Sequence, residues 1–271
     1  MRRAVIALAC VCALSAPAHA FDCKYDKDNP SVSLYWPTRT LTYGVVASSG
    51  LDPAMVQAAM HSWVGWDCTD LELEYVGLVA ESDPVSHVTV VRTGWVADGR
   101  PASAVAVTNT FYTPFTGVIG GANIEVNEDL FEFTADAEQT CDGTQYDLPS
   151  VITHEAGHFV GLGHTKLFNN APTDPTMAPQ VGACETYMRS LADDDLAGLC
   201  NLYPAGEPAG RCGGLPDDAR VLGNQPFSCV VGPSPGEAGL WLALAGALVG
   251  LGPRRRRAGL AKTCPRVRSG G

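Results

Sequence analysis

The chain of 271 residues is short of basic side chains away from its two ends. Residues 21–253 contain nine lysines and arginines against 29 acidic residues, which gives that stretch a formal charge of −20. So acidic a surface repels phosphate groups and excludes nucleic acid as a partner. It suits a protein that works outside the cell, and its acidic clusters are the kind of ligand that calcium prefers.

Two missing sequence patterns limit the kinds of metal and phosphate site that the chain can form. No pair of cysteines has C-x-x-C spacing, which argues against a zinc site built from thiolates. No lysine follows the pair Gly120–Gly121, so it is not a phosphate-binding loop and predicts a bulge or a close backbone approach instead. Histidine is scarce as well, with six in the chain, yet three of the six fall between positions 154 and 164.

These three histidines lie in the pattern H-E-x-x-H-x-x-G-x-x-H. Residues four apart share one face of a helix, so His154 and His158 can bind one metal ion while Glu155 reaches a water molecule bound there. His164 can join them only if the helix stops, and Gly161 can adopt the left-handed conformation that ends a helix. The alternative is a buried amphipathic helix with incidental histidines, which five constrained positions disfavour.

The stretch resembles the zinc site of metzincin metallopeptidases, in which a methionine turn follows the third histidine. Residues 174–179 read D-P-T-M-A-P, and the resemblance implies that Met177 lies beneath the metal as an apolar floor. Residues 191–203 are similar to the helix that closes matrixin catalytic domains. Matrixins usually carry serine after the third histidine, and Thr165 departs from that pattern.

The resemblance implies an endopeptidase with one catalytic zinc ion held by His154, His158 and His164. Glu155 would be the general base, taking a proton from the zinc-activated water and passing it to the leaving amine. The expected substrates are proteins or peptides, and the expected state is a monomer. Two alternatives stay open: a catalytically silent surface-binding protein on the same scaffold, and a zinc hydrolase of a non-peptide amide.

The resemblance also implies where a peptide substrate would bind. Residues 165–190 would form the wall of the pocket beside the zinc, and one of the strands after residue 104 would be the sheet edge along which an extended peptide pairs. The expected pocket residues are Pro179, Val181 and Tyr187. A second, structural zinc site is not expected, because only His61 and His87 remain, and these are interpreted as a surface and a structural residue.

Apolar alternation predicts strands at residues 40–46, 71–75, 87–92, 104–108 and 118–126. Asp52 followed by Pro53 is typical of a helix start, and Asp147 or Ser150 should cap the helix of the histidine motif. The resemblance implies an α+β domain: a twisted, mostly parallel sheet with an antiparallel edge strand, the active-site helix and a C-terminal helix.

The two ends of the chain look like targeting segments. Residues 1–20 have the pattern of a signal peptide, cut between Ala20 and Phe21, although a membrane anchor is the alternative. Residues 21–205 are expected to be the catalytic domain and 206–236 a Pro/Gly-rich linker.

Residues 237–257 combine fifteen apolar residues with four arginines, and 258–271 form a tail. This end resembles the C-terminal sorting tails of exported myxobacterial proteins, which implies either attachment to the membrane or cell surface or release. A buried core helix is the alternative.

Eight cysteines remain after the predicted signal peptide, and export predicts that most are paired. Sequence does not fix their connectivity, but Cys141 and Cys184 flank the histidine motif and are expected to pair. Cys212 lies in a segment, residues 210–217, that resembles the inhibitory matrixin propeptide switch but has an inserted residue and follows the catalytic domain. A disulfide is therefore expected for Cys212 in preference to a role as an inhibitory zinc ligand.

Overall fold

A computed structural model describes residues 20–209, Cys212 and the backbone of residues 228–231, all within one compact unit, Met1–Ser234. The predicted signal peptide up to residue 19 and the C-terminal segments 237–257 and 258–271 lie outside the described residues. In the part of the chain that is described, no helix combines the length and apolar character needed to cross a bilayer.

The described residues form short strands and helices in alternation. The strands are β1 (Tyr25–Asp26), β2 (Asn29–Ser33), β3 (Thr40–Val46), β4 (Glu72–Val79), β5 (His87–Val91), β6 (Ala104–Thr113), β7 (Val118–Asn127), β8 (Phe133–Thr134), β9 (Tyr146–Asp147), β10 (Gln180–Val181) and β11 (Ser228–Val231). The helices are α1 (Pro53–His61), α2 (Ala137–Thr140), α3 (Leu148–Phe159) and α4 (Asp193–Leu202).

The main sheet has the strand order β10-β11-β6-β7-β5-β3-β4. Strands β4, β3, β5 and β7 are parallel, whereas β6 runs antiparallel to β7. This confirms the predicted α+β fold with a mostly parallel sheet and an antiparallel strand. Beyond β6 the sheet continues through β11, antiparallel to β6, and β10, parallel to β11.

The predicted irregularity at the glycine pair is a bulge between β6 and β7. Phe111 pairs with Gly121 and Tyr112 pairs with Ile119, so Gly120 is the extra residue of β7. The bulge bends the end of this hairpin, where β6 extends five residues beyond the predicted Thr108.

Both main helices begin as the sequence indicates. Asp52 caps α1, its carboxylate accepting the Ala54 N–H at 2.9 Å, with Pro53 at the first helical position. Asp147, one of the two candidates, caps α3 by accepting the Ser150 N–H at 3.0 Å. Nearly every residue of α3 is buried, so the histidine motif lies on the central helix of the domain.

Among the described residues, three disulfides join segments that are distant in sequence. The expected pair Cys141–Cys184 is confirmed. The disulfide expected for Cys212 is also present and joins it to Cys23, so this sulfur is not available as a metal ligand. The third bond, Cys68–Cys200, connects the loop after α1 to α4.

Strand β11 lies within residues 206–236, for which the sequence predicted no regular element. Four residues are too few for alternation to be visible, and the strand depends on pairing partners that are distant in sequence.

Candidate metal centre and active site

The third histidine reaches the first two because α3 ends abruptly. Gly161 has a φ of 106°, a conformation that strongly favours glycine, and a Cβ there would lie 3.0 Å from the Leu34 carbonyl oxygen. The Leu162 N–H donates to the Gly157 carbonyl and closes the helix end. His164 is thereby turned back towards the helix, as the motif predicted.

The three imidazoles converge through their Nε2 atoms. The His158 Nε2 lies 3.1 Å from the His154 Nε2 and 3.1 Å from the His164 Nε2. Zinc–nitrogen bonds of about 2.0–2.1 Å in a tetrahedral site place ligand nitrogens roughly 3.3 Å apart, so the spacing fits a zinc ion. The candidate ligand atoms of the group all lie within 4.8 Å of one another.

Backbone carbonyls fix the tautomer of the two helical histidines. The Nδ1 atom of His154 lies 2.6 Å from the Thr176 carbonyl oxygen, and that of His158 lies 2.8 Å from the Leu162 carbonyl oxygen. A carbonyl only accepts, so each Nδ1 carries the proton and donates it, which leaves the Nε2 lone pair directed towards the other rings.

Burial keeps these rings neutral. It lowers the pKa of His154 to about 4, against a smaller opposing effect of the bond to Thr176. Burial likewise holds the pKa values of His158 and His164 well below their ordinary range, with neighbouring imidazoles adding to the effect. A metal ion requires neutral imidazole, and the three rings meet that requirement.

The carboxylate of Glu155 is fixed from the neighbouring sheet. The Thr108 hydroxyl, on β6, lies 2.5 Å from the Glu155 Oε2 and donates to it. No sequence motif indicated a role for Thr108, whose one local signal is a hydroxyl at the end of the apolar run A-V-A-V. The contact ties the position of the carboxylate to that of β6.

A buried lysine that no sequence pattern had indicated, Lys24, lies just before β1 and contacts the same strand β6. The Lys24 ammonium donates to the Thr108 carbonyl oxygen at 3.2 Å and to the Thr110 hydroxyl at 2.8 Å. Burial lowers the pKa of Lys24 to about 7, and the charge of Glu155 partly offsets this. Nothing in the residues around Lys24 signals its burial, because the contacts join positions more than 80 apart in sequence.

Met177 forms part of the support below the centre of α3. Its side chain is buried against Gly157 and Trp63, so closely that a Cβ at Gly157 would lie 2.2 Å from the Met177 sulfur. The N–H groups of Thr176 and Met177 donate to the Asp195 carboxylate of α4 at 2.8 and 2.9 Å. The methionine turn is therefore held by packing against α3 and by hydrogen bonds to α4. Its Thr176 carbonyl in turn orients His154.

The neighbouring carboxylate of α4 anchors the start of the described chain. Asp194 accepts the N–H groups of Ala20 and Phe21 at 2.7 and 3.0 Å and the Thr165 hydroxyl at 2.6 Å. Thr165 directly follows the third histidine. Asp194 thus holds the start of the described chain and the residue after His164, while Asp195 holds the methionine turn.

The residues predicted to line a substrate pocket follow the methionine turn. Val181 is buried in an apolar cluster with Met188, whereas Pro179 and Tyr187 are half-buried. The Tyr187 hydroxyl donates to the Gln180 carbonyl at 2.9 Å and braces β10. Their role in selecting a substrate stays a prediction.

Other metal sites receive no support among the described residues. The three histidines are the one group of at least three potential ligand side chains there that is close enough to hold an ion. Among these residues, no cluster of potential ligands supports the suggested calcium. His61 has a ring nitrogen 2.9 Å from the Leu73 carbonyl, and His87 has one 3.0 Å from the Val85 carbonyl.

Comparison with known proteins agrees with this geometry. Residues 94–204 match the family model of the matrixins, a family of peptidases. The chain is 27% identical over 185 residues to Metalloendoproteinase 5-MMP of Arabidopsis thaliana, covering 66% of this chain and 48% of that protein. It is 27% identical over 175 residues to Metalloendoproteinase 2-MMP of Arabidopsis thaliana, covering 63% and 43%.

The chain spans about half the length of these relatives. Together, the family match, the fold and the histidine cluster support a matrixin-like metallopeptidase, for which the family implies zinc.

Proposed function

We propose that the chain is an exported, zinc-dependent endopeptidase that hydrolyses peptide bonds in protein substrates. The observation that carries this proposal is the convergence of three neutral imidazole Nε2 atoms, on the buried His154 and His158 and the half-buried His164, beside a carboxylate held by Thr108. The matrixin match over residues 94–204 supports the same reading, because that span includes the histidines and the methionine turn.

Each residue has a distinct role in this proposal. His154, His158 and His164 would hold the zinc ion, which would supply Lewis-acid activation of a water molecule and of the scissile carbonyl. Glu155 takes the proton of the attacking water and delivers it to the leaving amine. Thr108 orients Glu155 by its hydrogen bond to one carboxylate oxygen, so that the base does not have to be ordered during the reaction.

We also propose the cellular setting. The three disulfides of the described residues suit an oxidising compartment, which supports export. The signal peptide of this proposal is residues 1–20, cut between Ala20 and Phe21. A catalytic domain at 21–205, followed by a linker and a surface-sorting segment at 237–257, remains the proposed layout, with a monomer as the working state.

The decisive experiment compares the full chain with its Glu155→Gln variant after expression in an oxidising compartment. We expect about one zinc per chain in both proteins by elemental analysis, because Glu155 is not a ligand in this scheme. Only the unaltered chain should cleave an unstructured protein such as casein, and a zinc chelator should abolish that cleavage. Glu81→Gln, at an exposed position, is the matched control and should behave as the unaltered chain. Casein cleavage by Glu155→Gln would refute the assignment.

A further inference from the structure

The strand next to the histidine cluster is paired on its outer edge by a distant part of the chain. Strand β6 carries Thr108, the residue that contacts Glu155. Antiparallel to it runs β11, with Ser228 opposite Val107 and Cys229 opposite Ala106. The upstream end of β11 is therefore the end that lies nearest to Thr108.

The other side of β11 is paired with the segment that follows the methionine turn. Val230 lies opposite Gln180 and Val231 opposite Val181, in parallel register. Strand β10 begins three residues after Met177, so it also belongs to the surroundings of the cluster. In the sheet order, β11 is the strand that separates β10 from β6.

A slot one strand wide therefore lies between β6 and β10. Neighbouring strands are about 4.8 Å apart, so two strands with one between them are separated by roughly 10 Å. Such a slot presents unpaired backbone N–H and C=O groups on both sides, and an extended peptide satisfies both edges at once. Any protein substrate that entered it in extended form would need the positions that residues 228–231 occupy.

We propose that β11 occupies this peptide-binding slot in cis and thereby holds the protein in a state of low activity until the segment is displaced or cut. The occupancy follows from the strand pairing alone, whereas its effect on hydrolysis rests on the proposed endopeptidase function.

Because β11 is covalently linked to the domain, it can fill the slot even if its intrinsic affinity is weak. Cys212 is fixed to the domain by its disulfide with Cys23, and fifteen residues separate it from Ser228. A covalent link over so few residues makes the pairing of β11 intramolecular, with an effective concentration in the millimolar range. A segment whose dissociation constant as a free peptide is about 0.1 mM would then fill the slot about 90% of the time or more.

The occupancy is tested by binding, without any hydrolysis. A recognition sequence for a site-specific protease replaces residues 216–222 of the full-length Glu155→Gln chain, and half of the sample is cut and separated from the released fragment. A fluorescent peptide with the sequence of residues 225–234 is then titrated into both forms. We expect the cut form to bind this probe about tenfold more tightly than the intact form. Equal affinity for the two forms, or no binding to the cut form, would overturn the proposal.

A substitution checks the same point without cutting. Strand β11 lies between β10 and β6, so each of its backbone N–H groups points to one of these two strands. Proline has no N–H, and Val230→Pro therefore removes one hydrogen bond between β11 and a neighbouring strand. The intact Val230→Pro chain should bind the probe as the cut form does, and Val230→Thr, which keeps the N–H and a β-branched side chain, should not. A probe affinity that is the same in both variants would contradict the proposal.

Casein hydrolysis by the chain that retains Glu155 distinguishes a failure of this inference from a failure of the proposed function. If both hold, cutting raises kcat/KM on casein about tenfold. If cutting exposes the probe site but neither form cleaves casein, the slot is real and the endopeptidase assignment fails. If both forms cleave casein equally and bind the probe equally, the assignment stands and the occupancy is refuted.

Discussion

The substitution Gly157→Ala sets two opposing effects against each other at the centre of the histidine motif. Gly157 lies within α3, one residue before His158, and is buried. In a helix interior alanine is favoured over glycine by about 0.5–1 kcal/mol, because glycine loses more backbone entropy on folding. Helix propensity alone therefore predicts that the variant is more stable than the original protein.

Packing at this position predicts the opposite. The added Cβ would lie 2.2 Å from the Met177 sulfur and 2.6 Å from the Trp63 ring. Neither neighbour can yield easily, because the Trp63 ring N–H donates to the Thr153 carbonyl at 2.8 Å and the Met177 side chain is buried in the main hydrophobic core. Overpacking a constrained core costs about 1–3 kcal/mol, and contacts this short place the cost at the upper end. We expect a net loss of about 2 kcal/mol.

Two measurements test this reasoning. Urea unfolding of the chelated proteins gives the difference in the free energy of unfolding, and competition with a zinc indicator gives the metal affinity. Displacing the methionine turn moves the Thr176 carbonyl that orients His154, so zinc should bind about tenfold more weakly. Gly198→Ala in α4, where the nearest atoms are 3.1 Å away, is the matched control and should cost less. A Gly157→Ala protein as stable as the original would show that the packing argument is wrong.

The parts of the site that could be predicted depend on local geometry. The spacing of His154 and His158 fixes a shared helix face, and the need for His164 to return fixes the role of Gly161, whose positive φ the structure confirms. Cap chemistry is local in the same way, which is why the start of α1 at Pro53 followed from Asp52. These inferences need a few residues of sequence and no knowledge of the rest of the fold.

The parts that could not be predicted depend on contacts between distant segments. Thr108 reaches Glu155 across 47 positions, and Lys24 reaches Thr110 across 86, so neither contact leaves a periodic trace. The same holds for β11, whose four residues become a strand because β6 and β10 offer partners. A short apolar pair in a Pro/Gly-rich segment is compatible with a linker until those partners are known.

Two further predictions concern stability. Replacing both Cys141 and Cys184 by serine opens a loop with a sequence separation of 43 and should lower the free energy of unfolding by about 2–4 kcal/mol, measured by urea unfolding, whereas an unchanged midpoint would mean that the bond is not formed. The second prediction is a pH dependence of the chelated protein that Lys24→Met removes. Burial lowers the pKa of Lys24 from 10.5 to about 7, so between these values the folded protein has released a proton that the unfolded chain retains. Stability then rises with pH across that window, and the unfolding midpoint of the original protein should rise relative to that of Lys24→Met between about pH 6 and about pH 9. A difference that stays constant or falls would show that the ammonium is not buried as described.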